Sequence, residues 1–144
     1  MTPEGGTPRK WPAGENNVTR VSWAPDGNSI AFGDATSPAD SVIRSLDLQT
    51  QKVFTLPDSP NGRPLNFAAR APQGNYLAAG SQDGKKIMLF DFATKKWSEL
   101  ASVDVGVTQW SSDGQYVYFD NGPAWNRPSI ACELPTTKLS KCAA

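Results

Sequence analysis

Three stretches of the chain follow one pattern. Val21 to Phe32 reads VSWAPDGNSIAF, Asn66 to Ala79 reads NFAARAPQGNYLAA, and Val107 to Phe119 reads VTQWSSDGQYVYF. Trp23, Arg70 and Trp110 therefore stand in register ahead of Gly27, Gly74 and Gly114. The glycines lie 47 and 40 residues apart, and recurrence at that interval restricts the chain to architectures built from one repeated unit.

Each unit predicts four short strands. In the first, Val18, Val21 and Trp23 precede Pro25, Asp26 and Gly27. Proline presets φ there, aspartate bonds its own backbone and glycine supplies a positive φ, so a tight hairpin follows. SIAFG, VIRSLDL and KVFTL supply the remaining strands. The second unit repeats the plan with NFAARA, NYLAAG, KIMLFDF and KWSEL, and the third with VTQW, QYVYFD, SIACEL and a short KLSK. Ile87 to Phe92 is almost continuously apolar, which predicts burial on both faces of its sheet. Twelve glycines and twelve prolines leave no long run of helix formers. A unit of this length carrying four strands is the pattern of a β-propeller blade. The expected fold class is all-β: a partial β-propeller of three four-stranded antiparallel blades, blade 1 over 18–62, blade 2 over 63–104 and blade 3 over 105–144. A β-sandwich accommodates the strand number but gives no reason for threefold recurrence. Residues 1–17 read either as a stray strand of a preceding blade, centred on Thr7 to Trp11, or as a disordered leader.

WAPDGNSIAF, and with less fidelity APQGNYLAA and WSSDGQYVYF, resembles the W-S-P-D-G-x-x-I-A-F blades of TolB-like, WD40-like bacterial propellers. The likeness covers most of the chain from Gly5 onward. KKIMLFDFATKKWSEL and DGQYVYFD are most similar to the sensor-type propellers fused to winged-helix regulators or protein kinases. The resemblance implies a protein- or peptide-binding module, the remnant of a larger sensor or regulatory protein. It extends to the propellers of prolyl-oligopeptidase-type serine peptidases, so the propeller portion of such an enzyme, without its hydrolase domain, is the alternative. The chain departs from the pattern at Arg70, where tryptophan is usual, and at Gln73, where the turn aspartate is usual, which predicts a weakened first turn in blade 2. The G-H and W-D pairs of true WD repeats are absent.

Closed propellers carry about four to eight blades, so three leave two sheet faces bare. Either the chain is the remnant of a larger propeller, the preferred reading, or two copies form a homodimer that closes a six-bladed ring.

Charge and composition remove several functions. Fourteen basic and fourteen acidic side chains cancel, leaving no field to hold a polyanion, so nucleic acid is not an expected partner. No apolar run is long enough for a signal peptide core or a membrane span, so the chain as written is expected in the cytoplasm and not in a membrane, while a longer parent is compatible with the periplasm. The absence of histidine removes Ser-His-Asp and Cys-His catalysis and the commonest transition-metal ligand. No Gly-x-Ser-x-Gly elbow, phosphate loop or calcium loop is present. No enzyme activity, cofactor or metal is expected.

What remains is binding. Asp26 and Asp113 read as turn formers, and Trp23 and Trp110 as core. Lys85 and Lys86 fall on one rim and Lys95 and Lys96 on the other, so they form no common patch. The loop Asp120 to Ser129, DNGPAWNRPS, is the most suggestive rim segment. Trp125, Asn126 and Arg127 are its candidate binding residues, tryptophan and arginine being the types that dominate hot spots, with flanking prolines limiting the entropy lost on contact. Cys132 and Cys142 are too few for a disulfide framework. A two-residue turn at Thr136 and Thr137 would place Cys132 opposite Lys141 and one step off Cys142.

Overall fold

A computed structural model of the chain describes residues 5–11, 17–35, 37–59, 64–120, 129–133 and 142–143, with backbone alone at Pro38 and in 129–133 and 142–143. Among the described residues twelve strands form three separate four-stranded antiparallel sheets, each in simple up-and-down order. The first sheet holds β1 (Asn17–Trp23), β2 (Ser29–Ala35), β3 (Ser41–Asp47) and β4 (Val53–Thr55), with a 3-10 turn at Pro38–Asp40. The second holds β5 (Leu65–Arg70), β6 (Tyr76–Ser81), β7 (Ile87–Asp91) and β8 (Lys96–Ala101). The third holds β9 (Thr108–Trp110), β10 (Tyr116–Asp120), β11 (Ser129–Glu133) and β12 (Cys142–Ala143). These are three propeller blades. Thr7 to Trp11 joins no strand; an isolated bridge at Gly5 is the only pairing in 5–11.

Alternation along the strands assigns the two faces of each blade. Ala31 and Ile43 of the first blade meet Leu77, Ala79, Met88 and Phe90 of the second in one apolar layer, closed by Trp97. The intervening residues Ala78, Ile87 and Leu89 turn the other way and meet Val117 and Phe119 of the third blade. The second blade is thus clad on both sides, which is why Ile87 to Phe90 is buried at every position. Small alanines at 31, 78 and 79 let the sheets approach, and burial of each fully enclosed leucine such as Leu77 contributes roughly 1.5–3 kcal/mol.

The blades converge along their first strands, where β1 touches β5 and β5 touches β9. Two of these strands carry a bulge. β1 shifts register between Thr19 and Val21, and β5 between Asn66 and Ala69. Arg20 and Phe67, in matching positions of the repeat, take positive φ of 25° and 55° inside these bulges. A side chain in that region costs about 1–2 kcal/mol relative to ordinary backbone.

Trp23 is not core. It is 62% exposed, and register explains why. Arg70 pairs with Leu77, whose side chain faces the first blade, and Trp110 pairs with Val117, whose side chain faces the second. The corresponding residue of each blade therefore leans on the blade before it, and Trp23, paired with Ile30, leans on none. Val18 and Val21 share this outward face and are exposed with it. The face is not bare throughout, since Phe32 and Leu46 at its centre are buried, as is Asp34, whose carboxylate lies 2.9 Å from Arg44 Nε. The open apolar surface is a stripe along β1. On the far face of the third blade, Tyr118 is exposed beside Tyr116, ring centroids 6.5 Å apart.

The register of the last hairpin also differs from the expected one. Cys132 stands directly opposite Cys142, with Ala131 opposite Ala143, so no offset separates the two cysteine positions.

Candidate ligand groove on the converging strands

A groove of about 520 Å³ runs across the ends of β1, β5 and β9 and the starts of the turns that follow. Its walls include Arg20, Trp23, Arg70, Gln109, Trp110 and Ser111. The three in-register residues of the repeat thus line a single cavity, of a size suited to a ligand.

Hydrogen bonds between neighbouring first strands shape the floor. The Arg70 backbone N–H donates to Ser22 Oγ at 2.9 Å, and Trp110 Nε1 donates to the Ala69 carbonyl at 2.8 Å. Thr108 Oγ1 donates to the Phe67 carbonyl at 3.4 Å. These cross-blade bonds fix the spacing of the strands and hold the Trp110 indole in one orientation.

Arg70 is the most constrained charge in the groove. Its guanidinium lies over the Phe92 ring, 3.9 Å from the centroid, and Nη2 donates to the Gly74 carbonyl at 3.1 Å. Its Nε is buried without a hydrogen-bond partner. Burial pushes its pKa below the ordinary guanidinium value, opposed by the field of Asp26. It stays a cation. The contact with Gly74 braces the turn of the second blade, where Gln73 stands in place of aspartate. Gly74 takes φ +79° and its N–H bonds the Ala71 carbonyl at 2.9 Å, close to the 3.0 Å of the corresponding bonds at Gly27 and Gly114. The turn closes on the same backbone bond as its two counterparts. Gln73 instead reaches the third blade, donating from Nε2 to the Asp113 carbonyl.

Asp26 and Asp113 act as turn formers. Asp26 Oδ1 accepts from the Asn28 N–H at 2.9 Å, and Asp113 Oδ1 accepts from Ser111 Oγ at 2.6 Å and from the Gln115 N–H at 3.0 Å. The Ser111 hydroxyl, with backbone donors after it, holds the Asp113 carboxyl below its usual range. On the opposite side of the second blade, Lys85 pairs with Asp104 and Lys86 with Glu99. Both pairs are substantially exposed.

A second cavity, of about 210 Å³, lies in the seam between the first two blades. Two of its polar side chains bond across the seam: Ser41 Oγ to the Leu65 carbonyl at 2.8 Å and Asn66 Oδ1 at 2.5 Å, and Trp97 Nε1 to the Pro57 carbonyl at 2.7 Å. It is structural. Among the described residues no cluster of histidine, cysteine, aspartate or glutamate could hold a metal ion, and no helix is long and apolar enough to cross a membrane.

Trp125, Asn126 and Arg127 lie outside the described residues. Of the residues singled out by the repeat, Trp23, Arg70 and Trp110 come together in the groove. Arg20 and Gln109 were not singled out, although Arg20, Phe67 and Val107 recur three residues ahead of the in-register set.

No protein-family model matches the chain. WD repeat and HMG-box DNA-binding protein 1 of Xenopus laevis is 32% identical over 94 residues, which is 64% of this chain and 8% of that protein. Among solved structures, TolB from Acinetobacter baumannii superposes with a TM-score of 0.67 at 21% identity, over 88% of this chain and 32% of its own. The putative TolB from Agrobacterium tumefaciens gives 0.69 at 15% identity, over 90% and 50%. The chain thus spans half or less of the structures it resembles and under a tenth of the curated relative. Its three blades and their converging first strands have the fold of the TolB β-propeller.

Proposed function

We propose that the chain is a non-catalytic binding sector of a larger TolB-like propeller, belonging to a sensor or regulatory protein, and that it holds a protein or peptide in the groove across β1, β5 and β9. The observation that carries this reading is one cavity walled by exposed Trp23, oriented Trp110 and the braced cation of Arg70. Tryptophan and arginine in a cleft are the side chains that most often dominate binding energy. The loop with Trp125, Asn126 and Arg127 is proposed as a second contact. Nucleic acid is not a proposed ligand, since a chain of zero net charge gains little from counterion release.

Selection of random peptides on the immobilised chain tests the reading. Enriched peptides are expected to bind Trp23→Ala about thirtyfold more weakly, the effect of removing one hot-spot side chain. Peptides that bind Trp23→Ala undiminished would place the site elsewhere, and the absence of any enriched peptide would remove the binding reading. A second copy is also a proposed protein partner, because two three-bladed sectors joined head to tail would give each Trp23 a preceding blade. Light scattering over a range of concentrations decides that point: a dimer that persists on dilution supports the ring, and a monomer excludes it.

A further inference from the structure

The groove carries charge of one sign. Arg20 and Arg70 line it and no acidic side chain does, although the chain as a whole is neutral. Among the described residues neither arginine lies within ion-pair distance of a carboxylate; the described ion pairs are Arg44 with Asp34, Lys85 with Asp104 and Lys86 with Glu99. Asp26 acts on Arg70 only through its longer-range field.

The geometry around the two cations suits a discrete anion. The guanidinium of Arg70 is fixed by Phe92 and by the Gly74 carbonyl, so little rotamer entropy is lost when a carboxylate meets it. Arg20 projects from a bulge whose backbone is held in the left-handed region, and bulges of this kind re-aim a side chain. Trp23 supplies an apolar wall of the same groove, and Gln109 and Ser112 are exposed polar partners for an extended backbone.

We infer that the groove takes an acidic peptide segment, its carboxylates on Arg20 and Arg70 and an intervening apolar side chain against Trp23. This inference rests on the groove being the binding site. It adds charge selectivity to that site.

Fluorescence polarisation of the full chain tests it with two labelled hexapeptides, one alternating aspartate with phenylalanine and the other alternating asparagine with phenylalanine. The acidic peptide is expected to bind about tenfold more tightly at low ionic strength, with the margin shrinking as salt is added. Arg20→Gln, which removes no hydrogen bond among the described residues, should weaken the acidic peptide about tenfold and abolish most of its advantage over the amide peptide. Equal affinity of the two peptides, or a preference that survives Arg20→Gln, overturns the acidic ligand and leaves the groove standing. Failure of both peptides to bind removes the groove itself. A labelled oligothymidylate that binds more tightly than the acidic peptide would replace the peptide with a nucleic acid.

Discussion

At the scale of single residues, position 70 shows how a departure from a repeat is absorbed. Tryptophan at positions 23 and 110 is replaced there by arginine, and aspartate at 26 and 113 by glutamine at 73. Arg70 covers Phe92 and bonds the Gly74 carbonyl, while Gln73 crosses to the next turn. Arg70→Met keeps most of the aliphatic bulk and loses the cation over the ring and the turn contact, so it should destabilise the fold by about 1–3 kcal/mol, read as a lower urea midpoint at unchanged slope. Arg70→Lys should recover only part, because an ammonium cannot reproduce the flat stack and the bond together. The register of positions 23, 70 and 110 was legible in the sequence. That the residue in each blade leans on the blade before it was not, because the direction of a side chain depends on strand parity, and the bulges at Arg20 and Phe67 reset that parity without any glycine or proline to announce them.

At the scale of the hairpin, the turns between third and fourth strands of the first two blades share one device. Asp47 Oδ1 accepts from the N–H groups of Gln49 and Thr50 at 2.9 and 2.8 Å, and Asp91 Oδ1 accepts from those of Ala93 and Thr94 at 2.8 and 3.4 Å. The chain then leaves the turn through a residue of positive φ, Gln51 at 59° and Lys95 at 56°. Neither residue is suited to that conformation. Lys95→Gly should therefore stabilise the protein by about 0.5–1 kcal/mol, the relief of the left-handed side chain less the added freedom of the unfolded glycine, and a rise in melting temperature checks it. The turns were readable from Gln49 to Gln51 and from Ala93 to Lys95, since turn composition is local information. The last hairpin was not. Its one-residue difference in pairing, Cys132 with Cys142, depends on how many residues the turn takes up, which composition does not specify.

At the scale of the whole molecule, the repeat position on each later blade's first strand faces the blade before it, but the bonds across the two seams differ: in the first, Arg70 offers its backbone N–H to Ser22 Oγ. Trp110 spends its indole N–H on the Ala69 carbonyl, and Arg70 lies against the first blade. Trp23 has the same position and an open face before it. Trp110→Ser should thus cost about 2–4 kcal/mol, through lost packing and an orphaned carbonyl, whereas Trp23→Ser should change the stability of a monomer by less than about 0.5 kcal/mol. Denaturant titration of both variants beside the parent checks the contrast, and comparable losses would show that the outward face of the first blade is covered in solution. The threefold plan was visible in the sequence because turns and strand periods are local, but the groove was not, since it exists only where three distant segments converge. A seam made by one reaching side chain and one receiving carbonyl has a further consequence for how such proteins change over time. A unit that holds both the reaching tryptophan and the receiving carbonyl takes both halves of that joint with it on tandem duplication, so a gene can gain or lose such units by unequal crossing-over and leave the same joint between those that remain.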